Sequence, residues 1–401
     1  MRSTAVLLLL VASRAFAGEI ESRARLIQPE ALRSSLARGD LALIESDGDA
    51  LKQVLLLSPV DAPPDKVFDL LMDVEAYPKF VATIASTLVL KRGGSMLEYR
   101  WKLDVPLISL QGTRLQRGRR PTLVEVRFTS GNFEGSRERW ELYPLDGGKR
   151  TLVACYRKLE TSTAGMVMQA VASLEPSFPA ALSVASSFVH VRSIQRHVAK
   201  LPPLALVEQT GPVPPFARIP LGDNGLSLST IEPFLDLGIL AMIESNADGT
   251  LRQVALLTKV ASDKAKVQAI VADPGKFPEF IQNFARQDVT PIDARRTKLD
   301  WELEIPFKNL EGEAEMTVDP DGTVEVVNTK GDITRGRFRW EVLEAGPGKS
   351  IPIHYAYTDV REASFFTRAL VERQPLVEHG IVIASGTVAL AAVKARAEGR
   401  R

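Results

Sequence analysis

Leu97-Glu98-Tyr99-Arg100-Trp101-Lys102-Leu103-Asp104-Val105 places five apolar residues alternately with four charged ones. Period two sends the first set to one face of a strand and the second set to the other. Two hundred positions later Leu299, Trp301, Leu303 and Ile305 alternate in the same way with Lys298, Asp300, Glu302 and Glu304. Such a pattern belongs to an antiparallel sheet with one wet face and one covered face.

Working outward, the whole chain repeats. Leu41–Ser46 (LALIES) returns as Leu240–Ser245 (LAMIES), and Arg139-Trp140-Glu141 returns as Arg339-Trp340-Glu341. The offset is 199 at the start, 200 from Leu51/Leu251 to Trp140/Trp340, and 199 again at Pro176/Pro375. So small a drift over so long a stretch means two copies of one domain. Residues that both copies keep report on the fold; a residue found in one copy is weak evidence for chemistry.

Within the first copy, Leu41–Glu45 and Lys52–Val60 flank Ser46-Asp47-Gly48-Asp49, a hairpin signal. Ala62-Pro63-Pro64-Asp65 opens a helix whose stripe is Val67, Phe68, Leu70, Leu71 and Val74. The spacing predicts a second short helix over Lys79–Ile84, about six strands between Leu88 and Leu159, and a long final helix over Met166–Ala199. Pro176 and Pro179 divide that helix, as Pro375 divides Phe365–Ala397 in the second copy. Leu201–Pro220 contains six prolines and reads as a semi-extended linker. The apolar sheet face needs a cover, and the final helix is the element long enough to provide it.

With 401 residues, each copy can bury its own core. The formal charge is +1 with the signs interspersed, so no nucleic-acid stripe stands out. Arg114, Arg117, Arg119 and Arg120 read as a solvated hairpin end, because the second copy has Ala314, Thr317, Asp319 and Pro320 there. Met1-Arg2, the apolar run Ala5–Ala12 and Ala15-Phe16-Ala17 read as a secretory signal cleaved after Ala17. That run is shorter than a membrane span, and no other segment qualifies. The expected location is the periplasm or the exterior. Cys155 is the sole cysteine, so no intrachain disulfide can form.

Asp73-Val74-Glu75-Ala76-Tyr77-Pro78-Lys79-Phe80 follows the amphipathic helix, and Asp273-Pro274-Gly275-Lys276-Phe277-Pro278-Glu279-Phe280 repeats it. This stretch resembles the Asp-x-x-x-Tyr-Pro-x-Phe signature of the coenzyme Q-binding, START-like family, within the polyketide cyclase and lipid-transport superfamily. The resemblance implies an α+β fold of tandem helix-grip domains. Each would be a curved antiparallel sheet wrapped around a long C-terminal helix, with two short helices. The expected organisation is a signal segment at 1–17, START-like domains at 26–200 and 226–398, and the linker at 201–225. A tandem with an export signal departs from the intracellular single-domain members, so quinone is one expectation among lipophilic ligands.

No recognisable reactive group is repeated. His190 and His197 lie seven apart and read as helix-surface histidines; His354 and His379 are likewise unmatched in the other copy. No further ligand stands at metal spacing, so no metal is expected. Cys155 reads as a buried thiol opposite Tyr355 of the second copy, and no nucleophile elbow or phosphate loop is present. What remains shared is aromatic. Trp101/Trp301 and Trp140/Trp340 account for all four tryptophans. They are candidates either for core packing or for the walls of a lipophilic cavity. Tyr77 with Phe80, and Phe277 with Phe280, are expected over the cavity mouth. Tyr99, Leu103 and Leu303 complete the candidate ligand-binding set.

The leading expectation is an exported, non-enzymatic carrier of a hydrophobic small molecule such as a lipid, quinone or polyketide, without a cofactor. Transient membrane contact is compatible with it, and the oligomeric state is open. Two other classes stay open: an interaction module with vestigial cavities, and a cyclase or aromatase with one active domain. The enzyme reading expects ionisable groups inside one copy only, with Cys155, Tyr156 and His354 as candidates.

Overall fold

A computed structural model describes residues 20–48, 50–105, 108–174, 177–203, 213–219, 227–282, 284–304, 309–359, 361, 368 and 376–400. The expected signal segment 1–17 lies outside the described residues. In the first copy α1 (Arg33–Leu36) precedes β1 (Asp40–Asp47) and β2 (Ala50–Val60). Then come α2 (Pro64–Met72), a 3-10 turn (Val74–Ala76) and α3 (Tyr77–Phe80). Six strands follow: β3 (Ile84–Gly93), β4 (Met96–Val105), β5 (Ile108–Arg119), β6 (Leu123–Gly131), β7 (Arg137–Leu145) and β8 (Arg150–Lys158). Two helices close the copy, α4 (Met166–Leu174) and α5 (Phe178–Val198). The second short helix is α3 rather than the expected Lys79–Ile84. Pro78 is tolerated in its first turn, where an amide would have no helical partner.

The second copy repeats the order with α6 (Leu228–Leu235), β9 (Gly238–Ser245), β10 (Leu251–Leu257), α7 (Lys264–Val271) and a 3-10 turn at Pro274–Glu279. Its remaining strands are β11 (Phe284–Pro291), β12 (Arg296–Leu303), β13 (Leu310–Val318), β14 (Val324–Gly331), β15 (Gly336–Glu344) and β16 (Ser350–Thr358). The long helix α8 (Val377–Ala397) ends it.

Each copy is an eight-stranded antiparallel sheet covered by its last helix, the helix-grip arrangement. The two sheets are continuous. The strand order runs β11-β12-β13-β14-β15-β16-β10-β9-β1-β2-β8-β7-β6-β5-β4-β3. The junction is an antiparallel β1·β9 pair in which Ala42 faces Ala241, Leu41 faces Met242 and Leu43 faces Leu240. Ala42 and Ala241 are repeat-equivalent, so the junction is locally two-fold, the geometry of an isologous dimer contact. Gly39 and Gly238 flank it. A Cβ at either would lie 2.2 Å from the Ile243 carbonyl oxygen or 2.1 Å from that of Ile44.

Helices α5 and α8 pack on the sheet and on each other. Helix α8 has the length and composition of a membrane span, yet Val382, Ile383, Leu390 and Val393 are fully buried in this packing. Less than half of that apolar stretch is covered in this packing, and the sequence reading that no segment outside the N-terminal run has the length and composition of a span is corrected by it.

The opposite sheet face carries a strap in each copy. The Glu21 amide donates to Gln53 Oε1 at 2.8 Å, Gln53 Nε2 donates back to the Glu21 carbonyl at 2.9 Å, and the Arg23 amide donates to Tyr156 Oη at 2.8 Å. In the second copy Ala217, Gln253, Ile219 and Tyr355 make the same three bonds. Part of the proline-rich stretch read as linker is therefore a docked element, with Phe216 and Ile219 buried.

Candidate functional site

The registers of β8 and β16 fix which residues are equivalent. Leu56 faces Cys155 and Val54 faces Arg157; in the second copy Leu256 faces His354 and Val254 faces Ala356. The offset therefore returns to 199 within the hairpin turn before the last strand. Cys155 corresponds to His354 rather than to Tyr355, and Tyr156 corresponds to Tyr355. The two tyrosines hold the straps, so Tyr156 is a shared structural group and drops out of the asymmetric set.

With the register corrected, one constellation separates the copies. The first copy packs Tyr77, Tyr99, Arg114, Gln116, Glu138, Arg157 and His190 between the sheet and α5, each 8% exposed or less. The equivalent positions in the second copy are Phe277, Leu299, Ala314, Met316, Phe338, Ala356 and Ala389. Seven polar side chains are replaced by seven apolar ones.

Arg157 Nη2 lies 3.1 Å from Glu138 Oε1, and Arg114 Nη1 lies 3.9 Å from the same oxygen. The Arg114 guanidinium carbon sits 4.0 Å from the Phe128 ring centroid and 4.8 Å from that of Trp101, a two-sided cation–π seat. Tyr99 Oη donates to Gln116 Oε1 at 3.4 Å, and Gln116 Nε2 donates to the Leu71 carbonyl at 2.8 Å. Tyr77 Oη donates to that same carbonyl. His190 packs edge-on against Trp140 at 4.8 Å and Tyr77 at 5.2 Å.

Burial sets the protonation states. It works to raise the Glu138 carboxyl, but Arg157 and then Arg114 outweigh it and hold the group below its ordinary value. Burial lowers His190 to about 3, with Arg157 adding to the effect, so the imidazole is neutral. Burial raises Tyr99, and raises the Cys155 thiol to about 12. The interior therefore holds two cations and one anion.

Tyr77, Phe80, Tyr99 and the four tryptophans are buried, whereas Phe277 and Phe280 are only half-buried. Tyr77 and Phe80 make a T-shaped pair at 5.8 Å, and Phe277 and Phe280 another at 5.9 Å. Phe80 also stacks on His197, and the equivalent Arg396 lies over Phe280. Trp101 lies over Gly112 and Trp301 over Gly312, where a Cβ would come within 3.3 Å and 2.5 Å of the indole. This ring-on-glycine contact recurs in both copies and is part of the fold. Trp140 touches the polar set, whereas Trp340 stacks on His354 at 4.1 Å. Leu103 and Leu303 are half-buried at the rim of the core.

Two readings of the sequence are corrected. Arg114 is not at a solvated hairpin end: it points inward on β5, while Arg117, Arg119 and Arg120 are exposed. His190 is buried in α5 and not on its surface. Glu138 and Arg157 were missed as members of the set. The signal was available for Glu138, which shares the parity of Trp140 and Leu142 on its strand. Among the described residues no group of three or more His, Cys, Asp or Glu could hold a metal ion.

Residues 60–180 match the family model of polyketide cyclase / dehydrase and lipid transport. That span runs from the end of β2 into α5 and contains every member of the polar set except His190. Among solved structures, the chain is similar to the di-domain ARO/CYC BexL from the BE-7585A biosynthetic pathway. Identity is 12%, coverage is 87% of this chain and 99% of the other, and the TM-score is 0.31. It is also similar to the di-domain ARO/CYC StfQ from the steffimycin biosynthetic pathway, at 14% identity, 86% and 98% coverage and a TM-score of 0.31. A STAR-related lipid transfer protein from Xanthomonas axonopodis aligns at 12% identity over 39% of this chain and 92% of its own, with a TM-score of 0.31. No curated protein matches the chain. The fold assignment rests on the strand order and helix placement described above.

Proposed function

We propose that this protein is an exported, non-enzymatic carrier that holds one hydrophobic small molecule per chain, inside the first copy, with the second copy as a structural partner. The replacement of seven buried polar residues by apolar ones at equivalent positions carries this reading. Buried polar groups cost stability unless they are hydrogen-bonded or paired, and Arg114 Nε, Arg157 Nε and His190 Nε2 have no partner. A fold that can fill the same space with Phe338, Met316 and Ala314 does not need them for packing. Trp101, Phe128 and Trp140 supply the apolar wall beside them.

A cyclase-type reaction in the same place is the second reading, supported by ionisable groups confined to one copy and by the description of the matching family model. Catalysis by proton transfer works best with a group titrating near the operating pH. His190 at about 3 and Cys155 at about 12 are both far from neutrality, and Tyr99 is raised. The carrier reading is favoured on that ground.

Native mass spectrometry of the purified chain, followed by organic extraction, tests it. One bound molecule per chain is expected, absent from a variant bearing the second copy's residues at the seven positions. Two bound molecules, or none, would overturn it. Export is checked by sequencing the N-terminus of protein recovered outside the cytoplasm; a chain that retains Met1 and stays inside removes that part of the reading.

A further inference from the structure

We propose that the molecule held in the first copy carries one acidic oxygen function of the carboxylate class, received by Arg114 and Arg157. This rests on the carrier reading and deepens it. Arg114, Arg157 and Glu138 are 8%, 4% and 3% exposed, so one positive charge is left over in an interior largely closed to water. An uncompensated buried charge is among the costliest arrangements a fold can hold.

Hydrogen bonding is unbalanced in the same direction. Arg114 Nε and Arg157 Nε are buried and have no acceptor, and His190 Nε2 is also without a partner; Trp101 Nε1 shares that state with Trp301 Nε1 of the second copy and so does not mark the seat. Guanidinium and indole nitrogens only donate. What completes this interior is therefore an acceptor that is also negative. A neutral alcohol or ketone would satisfy a donor and leave the charge. A phosphate would bring close to two negative charges against one surplus positive. A carboxylate supplies one charge and two oxygens, and it matches the planar guanidinium fork. The second copy, with Ala314 and Ala356 in place of both arginines, has no such seat.

The test is a titration of the full chain with dodecanoate and, separately, dodecanol. Trp101 and Trp140 lie beside the seat, so tryptophan fluorescence changes on binding over a constant signal from Trp301 and Trp340, and calorimetry gives the stoichiometry. The acid is expected to bind at one per chain and roughly tenfold or more tighter than the alcohol, as a charge-assisted contact requires. Arg114→Ala, the residue the second copy tolerates there, should bring the ratio of acid to alcohol affinity down to about one. Glu138→Gln, which enlarges the positive surplus, should tighten the acid, so the two variants move in opposite directions. Equal affinity for acid and alcohol overturns this inference and leaves the carrier reading standing. So does an acid preference that survives Arg114→Ala, or one that weakens in Glu138→Gln. Failure of both probes to bind overturns the inference as well, and the extraction experiment then judges the carrier reading separately.

Discussion

Glu138 faces Arg157 across the β7·β8 ladder, and the same two positions of the second copy hold Phe338 facing Ala356. One backbone geometry thus accepts a buried ion pair in one half and a large–small apolar pair in the other. The pair is not required by the fold, yet breaking it is costly, because removing one partner strands the other in a dry interior.

Glu138→Ala should therefore destabilise the first copy by about 3–5 kcal/mol. The double replacement Glu138→Phe with Arg157→Ala should cost clearly less than the two single changes added together. Urea unfolding of the four members of the cycle measures this coupling. Additive single effects would show that the two side chains do not act as a pair.

Gly39→Ala and Gly238→Ala should each weaken the junction by about 1–3 kcal/mol, since the new methyl overlaps a carbonyl oxygen of the partner strand. Hydrogen exchange should report faster opening of β1 and β9 amides. Gly93→Ala is the control: nothing lies within 4 Å of its Cβ position, so it should leave protection unchanged.

His379, on α8, is fully buried against Phe188 of α5, with ring centroids 4.8 Å apart and Glu378 and Arg192 as its charged neighbours. Burial lowers it to about 3, and likewise lowers His354 to about 4 and His190 to about 3. A depressed folded-state value means the unfolded chain takes up the proton first. The stability is complete above about pH 6.5 and is lost as the pH falls from there toward 3–4. Each histidine contributes a slope of about 1.4 kcal/mol per pH unit in that window. Unfolding curves at several pH values should show this fall, and His379→Leu should make it shallower above about pH 5, where the carboxylates are still ionised.

Cys155 is fully buried on β8, and its thiol is raised to about 12. Thiolate is the reactive form. The native protein at pH 8 should resist alkylation by iodoacetamide, and unfolding in guanidinium should restore stoichiometric labelling. Rapid labelling of the native chain would show that β8 opens readily.

Much of the fold could be read in the sequence because it is written twice. The alternation of Leu97–Val105, its return at Leu299–Ile305 and the paired tryptophans marked one covered face per copy. The site was harder to read. Arg114 reads as solvent-facing because the second copy has Ala314 there, although that same difference marks it as special. Cys155 reads opposite Tyr355 because nothing marks a one-residue change in a hairpin turn when the strands on both sides are buried along nearly their whole length. In such strands a slip by one leaves the hydrophobic pattern intact while exchanging the two faces.

The sequence alone determined that there are two copies, which residues alternate on each strand and that a long weakly polar helix closes each half. These properties depend on local periodicity. Only the tertiary structure decided that β1 and β9 join the copies into one sheet, because strand pairing depends on edges far apart in the chain. It alone brought Arg114, Glu138, Arg157 and His190, from three strands and a helix, into one dry interior. Burial, rather than residue type, turned three ordinary charges and a neutral imidazole into a set that calls for a partner.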